Sequence, residues 1–186
     1  MIQGSGPIGI LAIAAAREMG AARVICVGAP EQPRLELARK FGAEATVNIE
    51  EVKDPDERIE RVRDIVGGFG VVMDCSGHPS AGPEGIEMLR DGGTYVEMGQ
   101  FTDAGSIATS WHRICAKDLN VLGSWGFTAN DLPLGVAMLD RARDKYPWLA
   151  MQTLYPFDAD GVSRAVKDAM AMKTVKSTIV PWPELV

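Results

Sequence analysis

Short apolar runs alternate with longer amphipathic stretches along the first 125 residues. The short runs are almost continuously apolar, which is typical of strands buried on both faces of a parallel sheet. Six of them are predicted strands, at residues 1–3, 23–27, 45–47, 71–75, 94–98 and 120–124. Because helical stretches separate these strands, the pattern predicts a doubly wound α/β fold with a parallel sheet and right-handed crossovers.

Start and stop residues mark the intervening helices. The second helix is predicted to begin near Pro33 and to end before Gly42, since proline suits the first helical position and glycine a left-handed cap. The third is predicted to be capped by Asp54, with Glu57 closing a capping box. A fourth is predicted at residues 83–90, where an Asp-Gly-Gly sequence follows.

The pattern changes at about residue 126. A helix from about 130 to 145 capped by Asn130-Asp131, a strand at 153–157, a capped helix at 158–172 and a strand at 176–180 are predicted there. This stretch is too short for an independent domain. We therefore divide the chain into a domain at 1–125 and a short C-terminal extension at 126–186, which is expected to complete a sheet whose other strands lie elsewhere.

A glycine-rich turn joins the first strand to the first helix. Gly4, Gly6 and Gly9 form a G-x-G-x-x-G motif inside a βαβ unit, and Pro7 stiffens the turn. In dinucleotide-binding Rossmann folds the first glycine allows the tight turn and the second lets a pyrophosphate approach the backbone. The third lets helix and strand pack closely. The free N–H groups of the helix start favour phosphate, so the motif predicts dinucleotide binding; a turn that is tight only for packing is the alternative.

The end of the second strand leaves the choice between NAD and NADP open. An acidic residue there would bind the adenosine ribose hydroxyls, but the chain has Gly28, Ala29 and Pro30. Loss of the carboxylate removes the repulsion of a 2′-phosphate. Arg34 is the nearest candidate partner for that phosphate, whereas Glu31 is positioned to supply the missing carboxylate one turn later.

Composition narrows the function classes. The 186 residues carry a formal charge of −6 without a Lys/Arg cluster, which argues against nucleic acid and anionic membrane surfaces as partners. No apolar run is long enough to span a bilayer. Cys26, Cys75 and Cys115 lack the spacing of a metal site, and His78 and His112 are 34 positions apart. Reduced thiols, packed at Cys26 and Cys75, and a cytoplasmic location are therefore expected, with no metal site and no catalytic residues in this chain.

Five stretches resemble the medium-chain, zinc-type alcohol dehydrogenases. They are residues 4–9, 74–77, 91–99, 112–119 and 122–125, which follow the family's order over nearly the whole chain. The polyol and threonine dehydrogenases are the most similar branch. The resemblance implies a Rossmann fold, a nicotinamide dinucleotide as cofactor, and subunit pairing along the edge of the sixth strand to give a dimer or larger homo-oligomer.

The resemblance also implies a set of cofactor-binding residues. Those expected at the pyrophosphate are Gly4, Gly6, Pro7, Ile8, Gly9 and Lys176. Those expected around adenosine are Gly28, Cys75, Ser76 and Gly77, and those expected around nicotinamide are Met98, Gly99 and Trp125. Ala29 and Arg34 are expected near the same ribose from their position after the second strand.

The family's zinc ligands and proton relay have no counterpart in this sequence. In the family they belong to a separate N-terminal catalytic domain, so zinc is expected only in that domain. The first strand looks clipped, and the chain is expected to be truncated, inactive alone, and to pack its extension on the absent domain.

Three other functions are weighed against this one. A non-catalytic module that binds NAD(P)(H) or oligomerises needs no second domain. A methyltransferase normally keeps an acid where Gly28 stands. The residues around His112 fit a zinc-independent quinone reductase less well. Asp74, at a strand end, is either structural or faces the cofactor.

Overall fold

Six parallel strands form the main sheet. The computed structural model describes residues 1–182 and 184. The strands are β1 (Ile2–Gln3), β2 (Ile25–Gly28), β3 (Ala45–Asn48), β4 (Phe69–Asp74), β5 (Leu89–Glu97) and β6 (Asn120–Gly123). Their spatial order is β3-β2-β1-β4-β5-β6, the order of Rossmann folds. The doubly wound α/β fold predicted from the strand pattern is confirmed.

Helices cover the two faces of this sheet. They are α1 (Pro7–Glu18), α2 (Glu36–Lys40, entered through a π-helical turn at Glu31–Leu35), α3 (Pro55–Val66), α4 (Ala81–Met88) and α5 (Trp111–Ala116). Alternate residues of β2 enter two apolar clusters. Cys26 packs with Ile10 of α1 and Phe41 after α2, whereas Ile25 packs with Val62 of α3 and Met88 of α4. Strands buried on both faces explain their almost continuous apolar sequence.

The predicted start of α3 is correct, but the predicted end of the fourth helix is not. The Asp54 carboxylate accepts the Glu57 N–H at 3.0 Å, as an N-cap should. The prediction that residues 83–90 are helical is wrong at its end. Leu89 is buried and pairs with Phe69 in the sheet, and β5 then bulges before Thr94 pairs with Val71.

The C-terminal part contains α6 (Asp131–Arg141), β7 (Gln152–Pro156), α7 (Ala159–Met170) and β8 (Lys176–Val180). β7 and β8 pair in parallel as a separate two-stranded sheet. Asn130 is the N-cap residue of α6, as predicted. Its side chain makes no cap bond, whereas the Asp131 carboxylate accepts from the N–H and hydroxyl of Thr128 at 2.6 and 2.8 Å.

An ion cluster and an aromatic cluster attach this part to the helices of the main sheet. Glu18, at the end of α1, accepts from Lys145 at 2.9 Å and from the Tyr146 hydroxyl at 3.0 Å. Tyr146 stacks on Phe41, and Trp148 meets both rings edge-on. None of the helices in the described part of the chain has the length and apolar character needed to cross a membrane.

Candidate functional site

The three glycines of the turn between β1 and α1 stand in different surroundings. Gly4 has φ +104°, and a Cβ there would lie 2.8 Å from the backbone nitrogen of Ser76. A Cβ on Gly9 would run into the carbonyl group of Gly4. Gly6, by contrast, has φ −75° and ψ −175°, and a Cβ there would meet nothing within 4 Å. Backbone conformation and packing therefore require glycine at positions 4 and 9 but not at position 6.

The start of α1 presents unpaired N–H groups to this open space. Gly6 is the N-cap residue and Pro7 the first helical residue, no side chain caps the helix, and its first turn contains no acid. The first N–H groups of a helix have no partner within the helix and carry partial positive charge. Open space at Gly6 beside these donors fits a phosphate group.

The Ser5 hydroxyl links the glycine-rich turn to the backbone just after β2. Its Oγ donates to the Ala29 carbonyl at 2.8 Å and accepts the Ala29 N–H at 3.1 Å. A Cβ on Gly28 would lie 2.9 Å or less from three atoms of Ser5. The absence of an acidic side chain at position 28 is therefore enforced by Ser5, a residue to which the sequence motif assigned no role.

The charged side chains that follow Gly28 along the chain differ in their partners. Glu31 is ion-paired with Arg39, whereas Arg34 donates twice to the Thr174 carbonyl at 3.3 Å. This contact brings the chain just before Lys176 next to the π-helical turn that precedes α2, although Lys176 itself is exposed at the start of β8. Burial lowers the pKa of the Arg34 guanidinium, and arginine stays charged in proteins.

Two carboxyl groups, the buried Asp74 and the half-buried Glu97, hold the loops after β4 and β5. Asp74 is fully buried and accepts from the N–H and Oγ of Ser76 at 2.7 and 2.6 Å. Glu97 accepts the N–H groups of Gly99 and Gln100 at 2.9 and 3.1 Å. Burial, and after it the neighbouring Asp74 carboxylate, raises the pKa of Glu97. Asp74 is thus structural in this arrangement, because its oxygens are turned to its own loop.

The two loops interlock at the edge of the site. The Gln100 side-chain amide donates to the Gly77 carbonyl at 3.2 Å. Gly77 has φ +69°, and a Cβ on Gly99 would lie 2.5 Å from the Gly77 nitrogen. Gln100 and Glu97 were not predicted from the sequence, which gave no signal for a contact between residues 23 positions apart.

A shallow pocket lies where β5 and β6 end. It is lined by Glu97, Met98, Gln100, Phe101, Gly123, Ser124 and Trp125. The exposed rings of Phe101 and Trp125 stack with centroids 4.6 Å apart. The predicted nicotinamide residues Met98, Gly99 and Trp125 thus lie together at one edge. Those of the pyrophosphate turn lie at the end of β1, which β4 separates from β5.

Nucleophilic and metal chemistry find little support in the described residues. Burial raises the pKa of the thiols of Cys26 and Cys75 to about 12, so both stay protonated at neutral pH. His78 contacts the Ser80 hydroxyl at 2.9 Å, and His112 lies exposed on α5. Residues 1–182 and 184 contain no group of three His, Cys, Asp or Glu side chains arranged to hold a metal ion.

These features define an α/β domain with a glycine-rich turn of the type that binds dinucleotides. Comparison with known protein families gives the same class of protein. The family model for zinc-binding dehydrogenases matches residues 7–141. The chain belongs to the zinc-binding dehydrogenase family. The resemblance seen in the sequence is therefore confirmed.

Curated relatives and solved structures agree with this assignment. D-xylulose reductase A of Aspergillus oryzae is 32% identical over 177 residues, which cover 94% of this chain and 49% of that protein. An alcohol dehydrogenase from Thermotoga maritima superposes with a TM-score of 0.83 at 27% identity, over 97% of this chain and 49% of that one. The chain thus spans about half the length of these relatives.

Two further solved structures carry dinucleotides. An alcohol dehydrogenase from E. coli CFT073, complexed with NADH, matches with a TM-score of 0.77 at 20% identity, over 96% of this chain and 50% of that one. A zinc-binding dehydrogenase from Sinorhizobium meliloti, bound to NADP, matches with a TM-score of 0.77 at 24% identity, over 97% of this chain and 51% of that one. At these identities the likeness shows the shared fold.

Proposed function

We propose that this chain is the nicotinamide dinucleotide-binding half of a zinc-dependent alcohol or polyol dehydrogenase. The observation that carries the proposal is Gly6, where glycine is needed neither for φ nor for packing. A ligand that must approach the backbone explains it, because any side chain would occupy the space in front of the α1 N–H groups. The solved structures with NADH and NADP support the choice of ligand.

The chain's own residues would bind and orient the cofactor. The N–H groups at the start of α1, with Gly6, Pro7 and Ile8, would hold the pyrophosphate. Met98, Gly99 and the backbone near Trp125 would flank the nicotinamide, in the pocket between β5 and β6. The Glu97 carboxyl fixes the two N–H groups that follow Met98, so the loop is set before ligand arrives.

Chemistry would require the other half of the enzyme. Zinc there would polarise the substrate oxygen while a hydride moves between the alcohol carbon and nicotinamide. We infer that the segment after residue 126 packs on that half, since Leu132, Val136 and Leu139 share one exposed face of α6. Leu134 is also exposed, on the opposite face. Inactivity of this chain alone and a cytoplasmic location stay predictions.

One observation favours self-association as a second role. β6 pairs only with β5 within the described residues, and all four of its residues are exposed, with Val121 and Leu122 among them. Free strand edges of this kind pair with other chains. We propose a homo-oligomer joined along β6, with cofactor binding retained.

A titration of the purified chain with NADH and NADPH tests cofactor binding. Energy transfer from tryptophan to the reduced nicotinamide should rise to saturation for the wild-type chain. Gly6→Ala should weaken binding about 10-fold or more, because its methyl group displaces a phosphate from charge-assisted hydrogen bonds. Its free energy of unfolding should change by less than about 1 kcal/mol, the range expected at an N-cap.

The matched control is Gly135→Ala. Gly135 lies in α6, where a Cβ would also meet nothing within 4 Å. This variant should bind both dinucleotides like the wild type. Absence of saturable binding by the folded wild-type chain, or equal affinity in Gly6→Ala, would contradict the proposal.

A further inference from the structure

Two acidic residues lie side by side at the carboxyl ends of β4 and β5. Asp74 and Glu97 are register partners in the parallel sheet, where neighbouring strands are about 4.8 Å apart. Both carboxyl groups also converge on Gly99. Its N–H donates to Glu97 at 2.9 Å, and a Cβ on it would run into the Asp74 carboxylate. The two acids therefore form one cluster, which we call the carboxyl pair.

The carboxyl pair lacks a balancing cation within the described part of the chain. The ion pairs found there all involve other acids. Its titratable neighbours are the Tyr95 hydroxyl, 3.5 Å from Glu97, and the Cys75 thiol. Burial raises the pKa of both neighbours, so both stay neutral at physiological pH. Because two adjacent carboxylates repel each other when no cation is present, the pair favours a state with one proton.

Hydrogen bonds indicate which acid holds this proton. Asp74 accepts the N–H and hydroxyl of Ser76 at 2.7 and 2.6 Å and the Gly77 N–H at 3.3 Å. Glu97 accepts its two backbone N–H groups at Oε1, whereas the one partner of Oε2 among the described residues is the Tyr95 hydroxyl. Oε2 is therefore available to carry a proton. Burial, and after it the Asp74 carboxylate, raises the pKa of Glu97, which agrees with this assignment.

The carboxyl pair holds two loops that border the candidate cofactor site. The first loop contains Ser76, which packs against the glycine-rich turn, since a Cβ on Gly4 would lie 2.8 Å from the Ser76 nitrogen. The second contains Gln100, whose amide donates to the Gly77 carbonyl at 3.2 Å and joins the two loops. Repulsion between two ionised carboxylates would therefore move these loops apart where they meet the turn.

Resting on the proposed function, we propose that Asp74 and Glu97 are positioning residues that share one proton, and that the site binds its dinucleotide well only while this proton is present. Both acids act through the loops that they hold. Loss of the proton strains these loops and adds negative charge near the turn that would hold the pyrophosphate. Affinity is then full below the raised pKa of Glu97 and falls as pH rises through it, because binding above that pH requires the uptake of a proton.

Calorimetric titration with NAD⁺ over a series of pH values measures this effect. NAD⁺ is the probe because its pyrophosphate does not titrate in the range used, whereas the 2′-phosphate of NADP⁺ titrates at about pH 6. The wild-type affinity should fall by up to about 10-fold per pH unit above the raised pKa, the limit for uptake of one proton. Titrations in two buffers of different ionisation enthalpy should show that proton uptake directly.

Two variants test the carboxyl pair itself. Glu97→Gln keeps an oxygen that accepts the backbone N–H groups but cannot ionise, so its affinity should be independent of pH and its binding should take up no proton. Asp74→Asn leaves a single carboxyl group without a charged neighbour and should also flatten the dependence. Glu60→Gln, at an exposed position on α3, is the matched control and should keep the wild-type dependence on pH.

The outcomes separate this proposal from dinucleotide binding as such. Saturable binding with one affinity at every pH overturns the shared proton and leaves dinucleotide binding intact. A fall in affinity that persists unchanged in both Glu97→Gln and Asp74→Asn does the same, because another group then causes it. Absence of saturable binding at every pH, with the chain folded as judged by its melting temperature, overturns both proposals.

Discussion

The sheet changes character between its first five strands and β6. All four residues of β2 are buried, whereas all four of β6 are exposed, although both strands are apolar in sequence. The helices differ in the same way, because α1 buries Ile10 and Ile13 completely whereas α6 buries none of its residues. Hydrophobic pattern therefore identifies an element, but its burial depends on what covers it.

This difference in burial separates the apolar residues that stabilise the fold from those that are free to contact partners. Residues of the first five strands and their helices form two apolar clusters that can be assigned to folding. The apolar side chains of β6 and α6 gain little from burial here, since they remain in water. We expect substitutions in the first region to change stability and those in the second to change association.

Phe41→Ala should have the largest effect. Phe41 is fully buried, stacks on Tyr146 and meets Trp148 edge-on, so its removal opens a cavity and loosens the attachment of the C-terminal part. We expect a loss of about 3–5 kcal/mol in the free energy of unfolding, measured by urea denaturation. Leu134→Ala, on the exposed face of α6, is the control and should change it by less than about 0.5 kcal/mol. Equal losses in both variants would remove the distinction between the regions.

Glu84→Gln should have the next largest effect. Arg58 and Glu84 form an ion pair between α3 and α4, with bonds of 2.9 and 2.7 Å and side chains 10% and 9% exposed. A neutral amide leaves the buried guanidinium uncompensated, which costs about 3 kcal/mol in the free energy of unfolding. Asp140→Asn removes the exposed pair between Asp140 of α6 and Arg143 just beyond that helix, and it should leave the urea midpoint unchanged. A stable Glu84→Gln variant would show that the pair contributes little.

Leu122→Lys should change association without changing stability. A lysine on a free strand edge opposes pairing with a second edge, both by its charge and by its cost of desolvation. Sedimentation should show a shift from dimer to monomer, with the melting temperature unchanged. Leu134→Lys, on α6, should leave the dimer intact. Loss of the dimer in Leu134→Lys alone would place the interface on α6 and contradict the role of β6.

The pH dependence of stability should show a smaller effect from Glu97. Burial and the nearby Asp74 carboxylate raise its pKa in the folded state above the ordinary value of 4.5. The folded chain then holds a proton that the unfolded chain loses, so this contribution is complete below pH 4.5 and falls as pH rises through the raised pKa. Glu97→Gln should flatten that part of the curve of unfolding free energy against pH. A curve identical to that of the wild type would contradict the shift.

Most of the fold, and the position of the glycine-rich turn, could be predicted from the sequence. Apolar runs and helix caps such as Asp54 act locally, and they predicted the six strands of the main sheet and the glycine turn. The bulge in β5 was missed because Leu89 is held in the sheet by Phe69, a contact that local pattern does not encode. The ionic partner of Glu31 was missed for the same reason, since a side chain's sequence position does not reveal which neighbour takes its charge.

Hydrogen exchange with and without saturating NADPH tests the central claim most directly, because it reports where along the chain the ligand binds. We predict that protection increases at residues 4–9, at the loops that contain Ala29, Ser76 and Gln100, and at Arg34, while α6 and the β7–β8 sheet exchange as before. Protection confined to α6 or β6, or no change at residues 4–9, would contradict the assignment of the glycine turn as the dinucleotide site.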